Sequence, residues 1–152
     1  MVYRVPEGCH TAGVTPFAGA DGAEVDYAAL RELVEFQLAG GVAGILAVGT
    51  TGESPTVTWA EHTRIIAETA GIVGGRACTI AGTGSNSTAE STESTRHAVR
   101  NGVNAVLLVE PYYNGPSSIE IRREYMAPLA REFADVQVIP YVIPGRTGTQ
   151  LL

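Results

Sequence analysis

Ala105-Val-Leu-Leu-Val109 is apolar at every position. A strand with one wet face alternates apolar and polar side chains, so an unbroken run of this kind belongs to a strand covered on both faces. Comparable runs occur at Thr11–Thr15, Gly44–Val48, Ala77–Ala81 and Gln137–Tyr141. Helical patterns fill the gaps between them. After Asp26, a suitable cap, Tyr27, Leu30, Leu33, Val34 and Leu38 fall on one face, and Gly40-Gly41 stops the helix. Thr58 with Glu61, Ser87 with Glu90, and Ser117 with Glu120 each match the S/T-x-x-E capping box. Gly74-Gly75 and Gly102 suit helix ends, and Pro128 predicts a kink in the fourth helix. Strand starts at 44, 77, 105 and 137 recur about every 30 residues, the length of one strand–helix unit. The predicted order is βαβαβαβαβ with right-handed crossovers.

Two architectures use that order: an open doubly wound sheet, or the first part of a (β/α)8 barrel, which takes about 250 residues when whole. Only residues 142–152 follow the fifth strand, too few for a closing helix beyond the turn Pro144-Gly-Arg-Thr-Gly148. The expectation is therefore an α/β chain forming a truncated (β/α)8 TIM barrel with five strands and four helices. Residues 1–152 would be the N-terminal portion of a single domain.

Composition narrows the chemistry. The 152 residues are 45% hydrophobic and only 17% charged, below the roughly 25% of an average soluble domain, which fits buried parallel strands or subunit contacts. The net charge of −6 and the lack of a basic stripe argue against nucleic acid as a partner. All ten basic residues are arginine. Without lysine these residues hold neither a Walker-type phosphate loop nor a lysine imine. Cys9 and Cys78 are too few and too far apart for a zinc site or disulfide framework and read as ordinary thiols. Met1–His10 has no apolar signal-peptide core, and no apolar run approaches the roughly 18 residues of a membrane span. No membrane partner is expected, and a cytoplasmic protein is.

In either architecture function sits where strands end and loops begin. The second strand leads into Gly49-Thr50-Thr51-Gly52-Glu53-Ser54, where adjacent hydroxyls and turn amides can hold a carboxylate; a self-bonded tight turn is the alternative. The third leads into Ala81-Gly82-Thr83-Gly84-Ser85-Asn86. This G-x-G has Ser87 where a dinucleotide motif needs its third glycine, so no such cofactor is expected. The fourth leads into Glu110-Pro-Tyr-Tyr-Asn-Gly-Pro116, whose two phenols can carry protons or serve as an aromatic contact. After the fifth, Tyr141 precedes Arg146 in a Gly-flanked turn, suited to bidentate carboxylate recognition or simply to solvent. His62 and His97 fall within predicted helices and read as packing or surface residues.

Together these segments, spanning Gly13-Val-Thr-Pro-Phe17 to Arg146-Thr-Gly148, resemble the class I lyases of the dihydrodipicolinate synthase and N-acetylneuraminate lyase superfamily. The paired threonines, Tyr112-Tyr113-Asn114 and Gly145-Arg-Thr-Gly148 are most similar to the 4-hydroxy-tetrahydrodipicolinate synthase family. That family condenses pyruvate with aspartate semialdehyde in diaminopimelate and lysine biosynthesis. The resemblance implies no cofactor, no metal, and a homo-oligomer, dimer or tetramer, when complete. It implies that Thr51 binds the pyruvate carboxylate, that Thr50, Tyr141 and Tyr113 form a proton relay, and that Arg146 meets the semialdehyde carboxylate. Tyr141 is then the general acid/base, and Tyr113 crosses a tight dimer contact. An effector site would use Ser54, His62, Asn86, Glu90 and Tyr112, beside Pro55 and Trp59, which depart from one common pattern. Val142 stands where the family usually has an amide, and the Schiff-base lysine belongs to a sixth strand. The isolated chain is thus expected to be inactive. Alternatives are a pyruvate-dependent lyase of sialic or keto-deoxy sugar acids, or a non-catalytic α/β binding module or half-barrel.

Overall fold

The computed structural model describes residues 3–22 and 24–152. In chain order it contains β1 (His10–Ala12), β2 (Phe17–Ala18), β3 (Glu24–Val25), α1 (Tyr27–Ala39) and β4 (Gly44–Ala47). A single 3₁₀ turn (Ser54–Thr56), α2 (Trp59–Val73), β5 (Cys78–Gly82), α3 (Thr88–Arg100) and β6 (Ala105–Val109) follow. Next, α4 (Ser118–Glu120) runs through a π-helical segment (Ile121–Met126) into α5 (Ala127–Glu132), before β7 (Gln137–Tyr141) and α6 (Pro144–Thr147).

The five longer strands form one parallel sheet in the order β1-β4-β5-β6-β7. A doubly wound sheet reverses its strand order partway; this one never does, so its crossover helices collect on one face, as in the arc of a barrel. Side chains divide accordingly. Ile45, Ala47, Ala81, Val106, Leu108 and Val138 point into the main core beneath the helices, with Leu30, Val34, Ile65, Ile66, Ile121 and Leu129. Alternate positions Leu46, Cys78, Ile80, Ala105, Leu107 and Ile139 form a smaller cluster on the other face, joined by Tyr3 and Val5. The register sets Ala12, Leu46, Ile80, Ala105 and Gln137 in one row, and Val109 and Tyr141 nearer the C-terminal ends. The N-terminal segment crosses the opposite ends. Val5 N–H donates to Gln137 Oε1 at 2.7 Å, and Ala43 N–H to the Cys9 carbonyl at 2.8 Å.

The predicted helix starts match the caps closely. Asp26 accepts from Ala28 and Ala29, and Thr58/Glu61 and Ser117/Glu120 are complete capping boxes. Ser87 makes only half of one: its hydroxyl accepts from Glu90 N–H, but the Glu90 carboxylate accepts instead from Ser85 Oγ at 2.7 Å. The first strand begins one residue earlier than predicted and ends at Ala12, and an antiparallel hairpin, β2–β3, follows it. The helix does not break at Pro128. The backbone widens to a π register upstream, with Ala127 N–H donating to Arg122. The Glu124 carbonyl, which Pro128 cannot engage, accepts from Thr88 Oγ1 at 3.2 Å. Cys9 is exposed and Cys78 buried, both as free thiols. Among the described residues no helix is long and apolar enough to cross a membrane.

Candidate active site at the C-terminal ends of the strands

Close packing of the strand ends depends on glycine. A Cβ at Gly82 would lie 2.3 Å from the Val48 carbonyl oxygen, and one at Gly84 would lie 2.3 Å from Val109 N. Val48, a branched residue, takes φ 51°, an unfavourable conformation that turns the chain sharply at the end of β4. The following turn closes through Gly52 N–H to the Gly49 carbonyl at 3.1 Å. The buried Thr15 hydroxyl pins it by donating to the Gly52 carbonyl at 2.6 Å.

Behind these ends lies a cavity of about 500 Å³. Val48, Gly49 and Thr50 after β4, Gly82, Gly84 and Ser85 after β5, and Leu107, Val109 and Tyr112 from β6 and its loop line it. Tyr141, Ile143, Arg146 and Thr147 enter from β7, α6 and the loop between them, and Ser54, Pro55, Val57, Trp59, His62 and Glu90 complete the wall. Thr50, Tyr141 and Arg146 therefore share one cavity, as do Ser54, His62, Glu90 and Tyr112. Thr51, Tyr113 and Asn86 are exposed and lie off its wall. Among the described residues no hydrogen bond joins Thr50, Tyr113 and Tyr141.

Tyr113 is 92% exposed and sits at φ 75°, with Asn114 N–H donating back to the Tyr112 carbonyl at 3.0 Å. That is the rare γ-turn of positive φ, and it holds the phenol away from its own chain. His62, by contrast, is buried. Burial pushes its pKa down, the nearby His97 adds to the effect, and the Gly82 carbonyl opposes it. Trp59 meets its ring edge-on, with centroids 5.3 Å apart. A hydroxyl network stiffens the wall behind Ser85: its N–H donates to Ser91 Oγ at 2.8 Å and Tyr125 OH at 3.2 Å, which are themselves 3.0 Å apart. Burial raises the Tyr125 pKa, so this phenol is a neutral partner.

Sequence reasoning overlooked Glu110. Its side chain is completely buried and accepts from Ile143 N–H at 3.0 Å, Thr147 Oγ1 at 3.3 Å and Leu151 N–H. A signal was present: period two along β6 puts position 110 on the buried face of Val106 and Leu108. Among the described residues no cluster of three or more His, Cys, Asp or Glu could hold a metal ion.

Hydroxyls, a phenol and a guanidinium delivered by several strand ends to one cavity are how (β/α)8 barrels build their reaction sites. The family model of the dihydrodipicolinate synthetase family matches residues 5–152, and the chain belongs to that family. A curated relative from Syntrophus aciditrophicus, named 4-hydroxy-tetrahydrodipicolinate synthase, is 45% identical over 96% of this chain and 48% of its own length. The crystal structure of the Aquifex aeolicus dihydrodipicolinate synthase superposes with a TM-score of 0.89 at 42% identity, covering 95% of this chain and 47% of that one. The Acinetobacter baumannii dihydrodipicolinate synthase, solved with pyruvate, gives a TM-score of 0.87 at 42% identity, over 95% and 48%. The chain thus spans about half the length of the curated relatives it matches. Its five strands are an arc of their barrel.

Proposed function

We propose that these residues supply the N-terminal portion of the single barrel domain of a 4-hydroxy-tetrahydrodipicolinate synthase, which joins pyruvate, held as an imine, to aspartate semialdehyde. The observation that carries this reading is the meeting of Thr50, Tyr141 and Arg146, from two non-adjacent strand ends, on one cavity. Thr51, exposed beside the cavity rather than on its wall, takes the pyruvate carboxylate in this reading, a role that rests on the family resemblance. Tyr141 moves protons during imine formation and dehydration, with Thr50 and Tyr113 completing the relay. Arg146 takes the semialdehyde carboxylate in a bidentate pair. The outward Tyr113 suits donation to a second copy across a dimer contact, and Ser54, His62, Glu90 and Tyr112, with Asn86 at the rim, form an effector site. The imine needs an amine from beyond these 152 residues, which contain no lysine.

Borohydride trapping with pyruvate tests the proposal. The chain is mixed with a polypeptide carrying the remaining strands of a relative's barrel. The expected result is a reduced pyruvate adduct on that polypeptide only when both are present, and much less of it with Thr51→Val. An adduct on the 152-residue chain alone, or none from an assembled pair, would overturn it. Turnover of sugar aldehydes in place of aspartate semialdehyde would reassign the second substrate.

A further inference from the structure

The geometry points to Glu110 as a positioning residue that sets Arg146 in place, an inference resting on the role proposed above for Arg146. Among the described residues no cation pairs with the buried Glu110 carboxylate, so hydrogen bonds alone must stabilise it. All of them come from one short stretch. Ile143 N–H at 3.0 Å reaches Oε2 and Leu151 N–H reaches Oε1, while the single proton of Thr147 Oγ1 is shared between Oε2 at 3.3 Å and the Ile143 and Thr149 carbonyls at 3.1 and 3.2 Å. Arg146 lies between these anchors, on α6, a helix of only four residues. A single turn is not stable in isolation, so its orientation has to be imposed from outside. The carboxylate imposes it, by tying the turn to the end of β6. Thr149 Oγ1 adds a parallel tie to the Pro111 carbonyl at 3.1 Å.

The residue type matters as much as the place. Two backbone N–H groups converge on two different oxygens, which only an acceptor on both arms satisfies. Glutamine would turn an NH₂ toward one donor and release that arm.

The test uses the 152-residue chain, with amide hydrogen exchange and an NMR titration by succinic semialdehyde, an aldehyde bearing a carboxylate, followed at the Arg146 Nε–H and, in every variant, at the backbone amides of Gly49 and Thr50 on the same cavity. Glu110→Gln is expected to speed exchange at Ile143 and Leu151 about tenfold or more, and to weaken binding about tenfold, with Ala81 and Val106 unchanged. Arg146→Ala should weaken binding as much and leave both amides protected. Thr147→Val, which removes the hydroxyl shared between the carboxylate and the Ile143 and Thr149 carbonyls and keeps the carboxylate itself, should weaken binding in the same direction by roughly threefold. Retained affinity or unchanged protection in Glu110→Gln would overturn the inference. Should that variant fail to fold, unchanged binding by Thr147→Val would do so. If Arg146→Ala binds as well as the unmodified chain, or the probe leaves Arg146 unmoved, the fault lies in the proposed function, and the inference falls with it.

Discussion

At His62, burial and protonation oppose each other. The imidazole is only 5% exposed, Nδ1 has no hydrogen-bond partner among the described residues, and the groups facing it there are the Trp59 ring, His97 and the Gly82 carbonyl. Its folded pKa lies below the ordinary 6.5, so the unfolded chain takes up a proton first as the pH falls. The stability this creates is complete above pH 6.5 and is lost as the pH drops from there toward the folded value. Urea midpoints should therefore fall on acidification from pH 7, and His62→Gln should flatten that slope. An unchanged slope would mean that His62 titrates as it does in water. The capping-box carboxylates Glu61 and Glu120 act in a separate window: hydrogen bonds from Thr58 and Ser117 lower their pKa values below 4.5, so their contribution fades only under more acid conditions.

At the scale of elements, glycines separate two kinds of constraint. Gly82 and Gly84 let the ends of β5, β4 and β6 touch backbone to backbone, whereas a Cβ at Gly71, within α2, would meet nothing within 4 Å among the described residues. Gly82→Ala and Gly84→Ala should each lower unfolding stability by about 1–3 kcal/mol through overpacking. Gly71→Ala should raise it by about 0.5–1 kcal/mol, because alanine loses less backbone freedom in a helix. Thermal melts of the three variants check these opposite signs. The π segment at Ile121–Met126 makes a related point. Its position follows from Pro128, but the widening is tolerated because Thr88, on a different helix, takes up the stranded Glu124 carbonyl.

For the whole molecule, the sheet has a covered face and an open one. Helices bury the middle of one side, at Ile45, Ala47, Ala81, Val106 and Leu108, while on the other Leu46, Leu107 and Ile139 are only half-buried, and β1 and β7 are unpaired edges among the described residues. Apolar faces and free edges favour association. Sedimentation velocity of the 152-residue chain should show mass rising with concentration, and Ile139→Lys should reduce that rise. A monomer at every concentration, melting sharply, would favour a self-sufficient open-sheet module instead.

The alternation of strands and helices, their caps and the placing of Thr50, Tyr141 and Arg146 at strand ends were legible from the chain, because periodicity and capping act over a few residues. The β2–β3 hairpin was not, since two-residue strands are too short to show a period. Nor was the diversion of Glu90 to Ser85, which breaks a local motif for a contact in the cavity wall. Glu110 shows the limit most clearly. Its burial followed from the parity of β6, but its partners lie 33 to 41 residues away, and only the folded sheet brings them to it. Local sequence determined which elements form and in what order; long-range packing decided which polar groups meet at their ends, because those bonds exist only after the strands have paired.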